Sequence, residues 1–137
     1  MHLEYNIQGG DFSNAGTASS AIKKVLKQLM SNQKIIRKVV VALYETEVNI
    51  VAHAFSGKIS VDIDADKIII NAKDRGPGIS DIEMAMENGY STASDEVREM
   101  GFGAGMGLAN IKNNSSKFEI KSEVGIGTEL LIIVNLK

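Results

Sequence analysis

From His2 to Gln8 apolar residues (Leu3, Tyr5, Ile7) alternate with polar ones, the period of a half-buried strand, and Gly9-Gly10-Asp11 breaks it. This predicts an edge strand. From Ala15 to Met30 the period lengthens: Ala18, Ile22, Val25, Leu26 and Leu29 recur at helical spacing while Lys23, Lys24, Lys27 and Gln28 take the other side. Ser31-Asn32 ends this helix and can cap a second, Gln33 to Phe55, which is apolar enough to be buried on more than one side. Lys58 to Ile63 and Lys67 to Ala72 are β-rich and joined by Asp64-Ala65-Asp66, which reads as a hairpin. Beyond it the pattern predicts a short helix over 80–87, another from Gly107 to Asn114, and strands Phe118 to Ser122 and Glu129 to Leu136. Strands that arrive in pairs, without strict βαβ alternation, predict an α+β fold. Its expected form is a two-layer α/β sandwich, with a mixed, mostly antiparallel sheet and helices on one face. A doubly wound sheet is disfavoured.

Composition narrows the class. A chain of 137 residues fits a single domain, 1–137, and 44% hydrophobic with 23% charged residues is ordinary for a globular protein. Fifteen basic against 17 acidic residues give a net charge of −2, without the electrostatic footprint of a nucleic-acid binder. Cysteine is absent, which excludes a disulfide scaffold, a thiolate metal site and a thiol nucleophile. The polar start Met1-His2-Leu3-Glu4 is unlike a signal peptide, and no apolar run approaches bilayer length, so the expectation is a cytoplasmic protein that engages no membrane.

Four elements carry candidate chemistry. In the second helix Ile36, Val39, Val40, Leu43, Ile50, Val51 and Ala54 form an apolar stripe, while Glu45, Asn49 and His53, at i, i+4 and i+8, line the opposite side. An amide oxygen one turn from a carboxylate suits a Mg²⁺ ligand beside a proton acceptor. Glu47 falls toward the apolar stripe, where periodicity offers no role for it. Asp74-Arg75-Gly76-Pro77-Gly78-Ile79 follows directly on an apolar strand. Its glycines allow close approach, and Asp74 is an acceptor suited to an exocyclic amine. In Gly101-Phe102-Gly103-Ala104-Gly105-Met106-Gly107-Leu108, four glycines at every second position precede a helix, a phosphate-binding pattern that matches neither the dinucleotide fingerprint nor a P-loop. Gly125-Ile126-Gly127-Thr128 is a tight turn that brings a hydroxyl to the start of the last strand. Taken singly, these also read as a solvated helix face, a plain turn, a linker and a hairpin turn.

Together and in this order, the four elements resemble the N, G1, G2 and last boxes of the Bergerat-fold (GHKL) ATPases over roughly residues 33–137. Within that superfamily the run Asp74-x-Gly-Pro-Gly-Ile79, Asp81-Ile82, Met86, Gly89, Ser91-Thr92 and Gly103-Ala104-Gly105 is most similar to the small bacterial anti-sigma factor and switch serine/threonine kinases. The resemblance implies ATP bound with Mg²⁺ held through Asn49, Glu45 as general base and Asp74 reading the adenine amine. Gly76 and Gly78 would border the base, Thr128 would complete its pocket, and Ile79 would be a further nucleotide-binding residue. The segment from Gly89 to Gly107 would be a lid, with Gly101, Gly103, Ala104, Gly105, Met106, Gly107 and Leu108 at the phosphates. His53 would support the pocket rather than carry phosphate. Asn113, Asn114 and Ser115 depart from the resemblance, standing where relatives often have an acidic residue. The implied function is an anti-sigma regulatory kinase that phosphorylates a serine or threonine on a small anti-anti-sigma (STAS-like) protein, with a sigma factor as a further partner. An ATP-gated binding switch without phosphotransfer and a slow ATP hydrolase are the alternatives. The edge strand His2 to Gln8 offers a sheet edge for a homodimer.

Overall fold

The computed structural model describes residues 1–79, 82, 86 and 107–137. In chain order the elements are β1 (His2–Gln8), a 3₁₀ turn (Phe12–Asn14), α1 (Thr17–Leu29), α2 (Gln33–His53), β2 (Ser56–Ile63), β3 (Lys67–Arg75), α3 (Gly107–Asn113), β4 (Lys117–Glu123) and β5 (Gly127–Asn135). The strands form one five-stranded sheet in the order β1-β2-β3-β5-β4, and all four ladders are antiparallel. The 80–87 helix lies outside the described residues except at Ile82 and Met86, where Met86 N donates to Ile82 O. Among the described residues no helix is long and apolar enough to cross a membrane.

Alternation decides which face of the sheet is covered. Three cross-strand rows, Ile59-Ala72-Leu130, Val61-Ile70-Ile132 and Ile63-Ile68-Val134, run through β2, β3 and β5, and all nine side chains are buried. Leu3 and Tyr5 extend these rows from β1, and Phe118 and Ile120 do so from β4, all four half-buried. Each fully buried aliphatic chain contributes roughly 1.5–3 kcal/mol of hydrophobic stabilisation. The alternate positions, such as Glu4, Lys58, Lys73, Glu119, Lys121 and Glu129, lie on the uncovered face, with Lys58–Glu4 and Lys73–Glu129 ion pairs.

α2 is the central helix of the covering layer and packs on both α1 and α3. Asn32 caps it, its side-chain oxygen accepting Ile35 N–H at 3.2 Å. Burial extends beyond the predicted stripe to Ala42, Thr46 and Val48, which agrees with a helix enclosed on several sides. Several details differ from expectation. Every described ladder is antiparallel, without the mixing expected of the sheet, and α2 stops at His53 rather than Phe55. Leu29, assigned to the buried stripe of α1, ends that helix and is 50% exposed. β3 continues past Ala72 to Arg75, because Lys73, Asp74 and Arg75 pair with Lys58, Gly57 and Ser56 of β2.

The fold also accounts for Glu47. Its side chain is 1% exposed, and its carboxylate accepts the backbone N–H groups of Gly16 (2.9 Å), Ala18 (3.2 Å) and Ser19 (3.1 Å). These are donors that the first turn of α1 cannot satisfy internally. The N-cap position holds Gly16, which has no side chain to serve them. A carboxylate from α2 therefore caps α1 across the helix pair, which repays its own burial. Glu47→Ala should lower stability by about 3 kcal/mol or more by orphaning buried donors, and Glu47→Gln, which keeps an acceptor oxygen, by less. Chemical denaturation gives the comparison; equal stability of all three proteins would remove the capping role.

Candidate active site

Past the three apolar rows, the next row on the helix-covered side turns polar. Gly57 faces Asp74 and Ser122 faces Thr128 in register, and Thr128 N donates to Asp74 Oδ1 at 3.0 Å. Asp74 is half-buried, and burial pushes its carboxyl above the usual aspartate range, with the Thr128 N–H pulling the other way. Ser122 Oγ accepts Ile79 N–H at 2.7 Å and lies 2.9 Å from Thr128 Oγ1. The turns that frame Asp74 are close. A Cβ at Gly127 would stand 2.1 Å from Asp74 O, and Gly78 combines φ +74° with only 2.4 Å to Glu123 O, so a side chain at either would displace backbone. Gly76 is buried and donates its N–H to Ile126 O at 3.0 Å, with Ala54 at the C-terminal end of α2 packed against it.

α2 links this pocket to a second polar group. Glu45, Asn49 and His53 are all half-buried, in the predicted stripe. Burial pushes the His53 imidazole below its ordinary range, which favours the neutral ring. At the Glu45 end, α3 closes the site. Glu45 Oε2 would lie 3.3 Å from a Cβ on Gly107, and Asn110 Nδ2 donates to Glu45 Oε1 at 3.4 Å. Leu108 is buried in the core with Ile111, which fixes α3 in place. From Glu45 to Ala54 the helix rises about 13 Å. A polar pocket at one end and a carboxylate at the other are thus joined by one rigid rod.

The site residues assigned from sequence sort cleanly. Asp74, Gly76, Gly78, Ile79 and Thr128 come together at one end of the sheet, and Glu45 meets Gly107 at the α2–α3 contact, with Asn49 one turn further along α2. Leu108 is a core residue. Gly101, Gly103, Ala104, Gly105 and Met106 lie outside the described residues. Sequence reasoning missed Ser122 and Asn110. Ser122 shows only once β4 is aligned with β5, whereas the Leu108/Ile111 periodicity of α3 leaves Asn110 off the core face and could have flagged it.

The residues present fit a purine nucleotide with a hard cation. Asp74 Oδ1 is engaged by Thr128, and among the described residues its Oδ2 takes no hydrogen bond, leaving a half-buried acceptor for an exocyclic amine. The Asn49 side-chain amide likewise has no hydrogen bond among the described residues, and its oxygen is the ligand type magnesium prefers.

Residues 34–137 match the family described as histidine kinase-, DNA gyrase B-, and HSP90-like ATPase. Among curated proteins the chain is 33% identical over 115 residues to the serine/threonine-protein kinase RsbT of Bacillus subtilis (strain 168), covering 81% of this chain and 80% of that one. It is 30% identical over 120 residues to the anti-sigma F factor of Thermoanaerobacter sp. (strain X514), covering 84% and 80% respectively. A third relative, the anti-sigma F factor of Clostridium beijerinckii, is 30% identical over 125 residues, covering 87% and 84%.

The raised Asp74 carboxyl gives a paired prediction. For an acid whose folded pKa exceeds its unfolded value, the stabilising contribution is whole below the ordinary range and is lost as pH climbs through the raised value. At neutral pH the ionised Asp74 therefore costs the empty fold stability. Asp74→Asn should melt no lower than the parent, yet bind ATP more weakly by about 1.5–3 kcal/mol, and the parent should discriminate against GTP. Calorimetric titration showing equal affinity for ATP and GTP would remove the amine-reading role.

Proposed function

The chain belongs to the histidine kinase-, DNA gyrase B- and HSP90-like ATPases, and on that premise we propose that it is an ATP-dependent serine/threonine protein kinase of the anti-sigma regulatory type. Its target in this reading is a hydroxyl on a small antagonist, anti-anti-sigma (STAS-like) protein, with a sigma factor as a second partner. The observation that supports the reading is the arrangement along α2: a polar row with the half-buried Asp74 against its C-terminal end, and the Glu45 carboxylate set against Gly107 and Asn110 where α3 meets it.

Mg-ATP, when bound, supplies the phosphoryl group and the positive charge that neutralises its oxygens. The chain's own residues do the rest. Asp74 accepts the adenine amine through the oxygen that Thr128 leaves unengaged, which fixes the base and excludes guanine. Thr128 and Ser122 hold that carboxylate and the Ile79 backbone in place. Asn49 offers its amide oxygen to the metal. Glu45, half-buried and held on one oxygen by Asn110, takes the proton of the incoming serine or threonine hydroxyl on the other. For residues 101–106 the phosphate-binding role rests on the glycine pattern in the sequence.

Glu45 and Asn49 are one turn apart but have different tasks, so their losses should look different. Glu45→Gln should retain Mg-ATP binding while phosphotransfer falls by about 10²- to 10⁴-fold. Asn49→Ala should weaken nucleotide binding itself and make it less responsive to magnesium. Labelled ATP with the antagonist protein as acceptor reads both. An active Glu45→Gln protein removes the base, an unchanged magnesium response removes the metal ligand, and Mg-ATP binding without any transfer by the parent would replace the kinase with a nucleotide-gated switch.

A further inference from the structure

The inward positions of β4 are Phe118, Ile120 and Ser122, so a strand that twice sends an apolar side chain toward the helices ends by sending a hydroxyl. Across the β4–β5 ladder Ser122 faces Thr128, which is buried. Each of these hydroxyls has one hydrogen to give and two lone pairs to offer. Which of them donates to the other therefore decides what each has left.

The contacts of Ser122 Oγ fix the direction. It lies 2.7 Å from Ile79 N, 3.2 Å from Gly127 O and 2.9 Å from Thr128 Oγ1. A backbone N–H can only donate, so Ser122 accepts from Ile79. A carbonyl oxygen can only accept, so the single Ser122 hydrogen goes to Gly127. Ser122 then has one lone pair remaining, and the Thr128 contact is a hydrogen bond only if Thr128 is the donor. In this arrangement all three contacts are bonds and Ser122 Oγ is saturated. The reverse direction, Ser122 donating to Thr128, would leave the Gly127 contact without a hydrogen.

The pocket inherits the result. With its hydrogen given to Ser122, Thr128 Oγ1 has only lone pairs to offer a ligand. Beside it stands Asp74, one position past the Lys73–Glu129 pair of the β3–β5 ladder. Its Oδ1 accepts Thr128 N–H at 3.0 Å, and its Oδ2 takes no hydrogen bond among the described residues. An ionised carboxylate also accepts only. Both side chains of this row that stay open to a ligand are thus acceptors, and a ligand atom set between them must bring the hydrogen.

We propose that Ser122 is a positioning residue that determines base specificity: by taking the Thr128 hydrogen it makes the pocket acceptor-only, so that a purine with a donor at C6 is bound and one with an acceptor there is rejected. This deepens the nucleotide reading above and rests on it for the identity of the ligand. Asp74 by itself discriminates through one oxygen, and a base that shifted slightly could turn a C6 oxygen from the carboxylate toward a neighbouring hydroxyl. With Ser122 in place that hydroxyl has no hydrogen to give. In this role Ser122 acts through Thr128, which is why the strand pairing, and not the local sequence, reveals it.

The test uses the full chain and three triphosphates whose purines carry an amine (ATP), an oxygen (ITP) or a hydrogen (purine riboside triphosphate) at C6, titrated calorimetrically. The parent should bind ATP best and ITP worst. Ser122→Ala frees the Thr128 hydrogen, so ITP should gain roughly three- to tenfold relative to the C6-hydrogen compound, the worth of one hydrogen bond. Ser122→Thr, which keeps a hydroxyl, should keep the parent's order. Thr128→Val removes the hydroxyl altogether: the ITP penalty should shrink, and adding Ser122→Ala to it should change the ratios no further. These ratios are internal to each protein, so a general loss of packing cancels. A Ser122→Ala protein that weakens all three ligands by one factor, or a parent that binds ITP as well as the C6-hydrogen compound, overturns the proposal. A second arm needs no ligand. In the empty parent the Thr128 hydroxyl proton should be visible by NMR in slow exchange and be lost in Ser122→Ala; a freely exchanging proton in the parent overturns the assigned direction and the proposal with it. If the parent binds none of the three, the nucleotide reading fails and takes the specificity role with it, whereas binding without discrimination leaves that reading standing and overturns this one.

Discussion

Much of the helical layer depends on one buried carboxylate. Glu47 sits among apolar side chains, where an unpaired charge would cost several kcal/mol, and it is tolerated because three backbone donors of α1 converge on it. The bond set is reciprocal. α1 begins at a glycine with no capping side chain of its own, and α2 carries an acid with no other polar partner among the described residues. Each defect satisfies the other, which fixes the azimuth and the level at which the two helices meet. The same residue stands two positions from both Glu45 and Asn49, so the contact that anchors α1 also fixes the rotation of α2 and, with it, the direction in which the candidate site faces.

Most of the fold was legible because its signals are periodic. The alternation of β1 and of the β2–β3 hairpin, and the helical spacing of Ala18, Ile22 and Leu26, report burial on one face, and that is how the structure uses them. What escaped was non-periodic or remote. Glu47 breaks its own stripe and is explained only by residues 28–31 positions away, a relation no local window contains. Ser122 belongs to the site only through its register with Thr128. The extension of β3 to Arg75 came from ladder bonds to Gly57 and Ser56, which compensate for a segment whose charged side chains look like a loop. Leu29 erred in the other direction, since a periodic position at a helix end has nothing beyond it to complete its burial.

The polar row at Asp74 shows how the same sheet supplies both a core and a pocket. Three rows of aliphatic residues pack against the helices, and one step further along β3 and β5 the register delivers an acid, a threonine and a serine to the same side. Glycines at 76, 78 and 127 let the flanking turns close over this row without side chains of their own. The half-buried carboxylate there carries a desolvation cost, only partly offset by the Thr128 N–H, the kind of local cost that a fold concentrates at candidate sites of recognition.

The sheet order has a kinetic consequence. Two of its ladders, β2–β3 and β4–β5, are hairpins, but the other two are remote: His2 meets Asp62 across 60 residues, and Thr128 meets Asp74 across 54. Long-range pairings carry the larger loop-closure entropy and form slowly relative to hairpins and helices. The Thr128–Asp74 bond belongs to the β3–β5 seam, which joins the N-terminal three strands to the C-terminal hairpin, so this pocket is assembled only when the two halves of the sheet unite. A chain that has folded locally but not globally would carry every helix and hairpin and still lack the Thr128–Asp74 bond on which the candidate site is built.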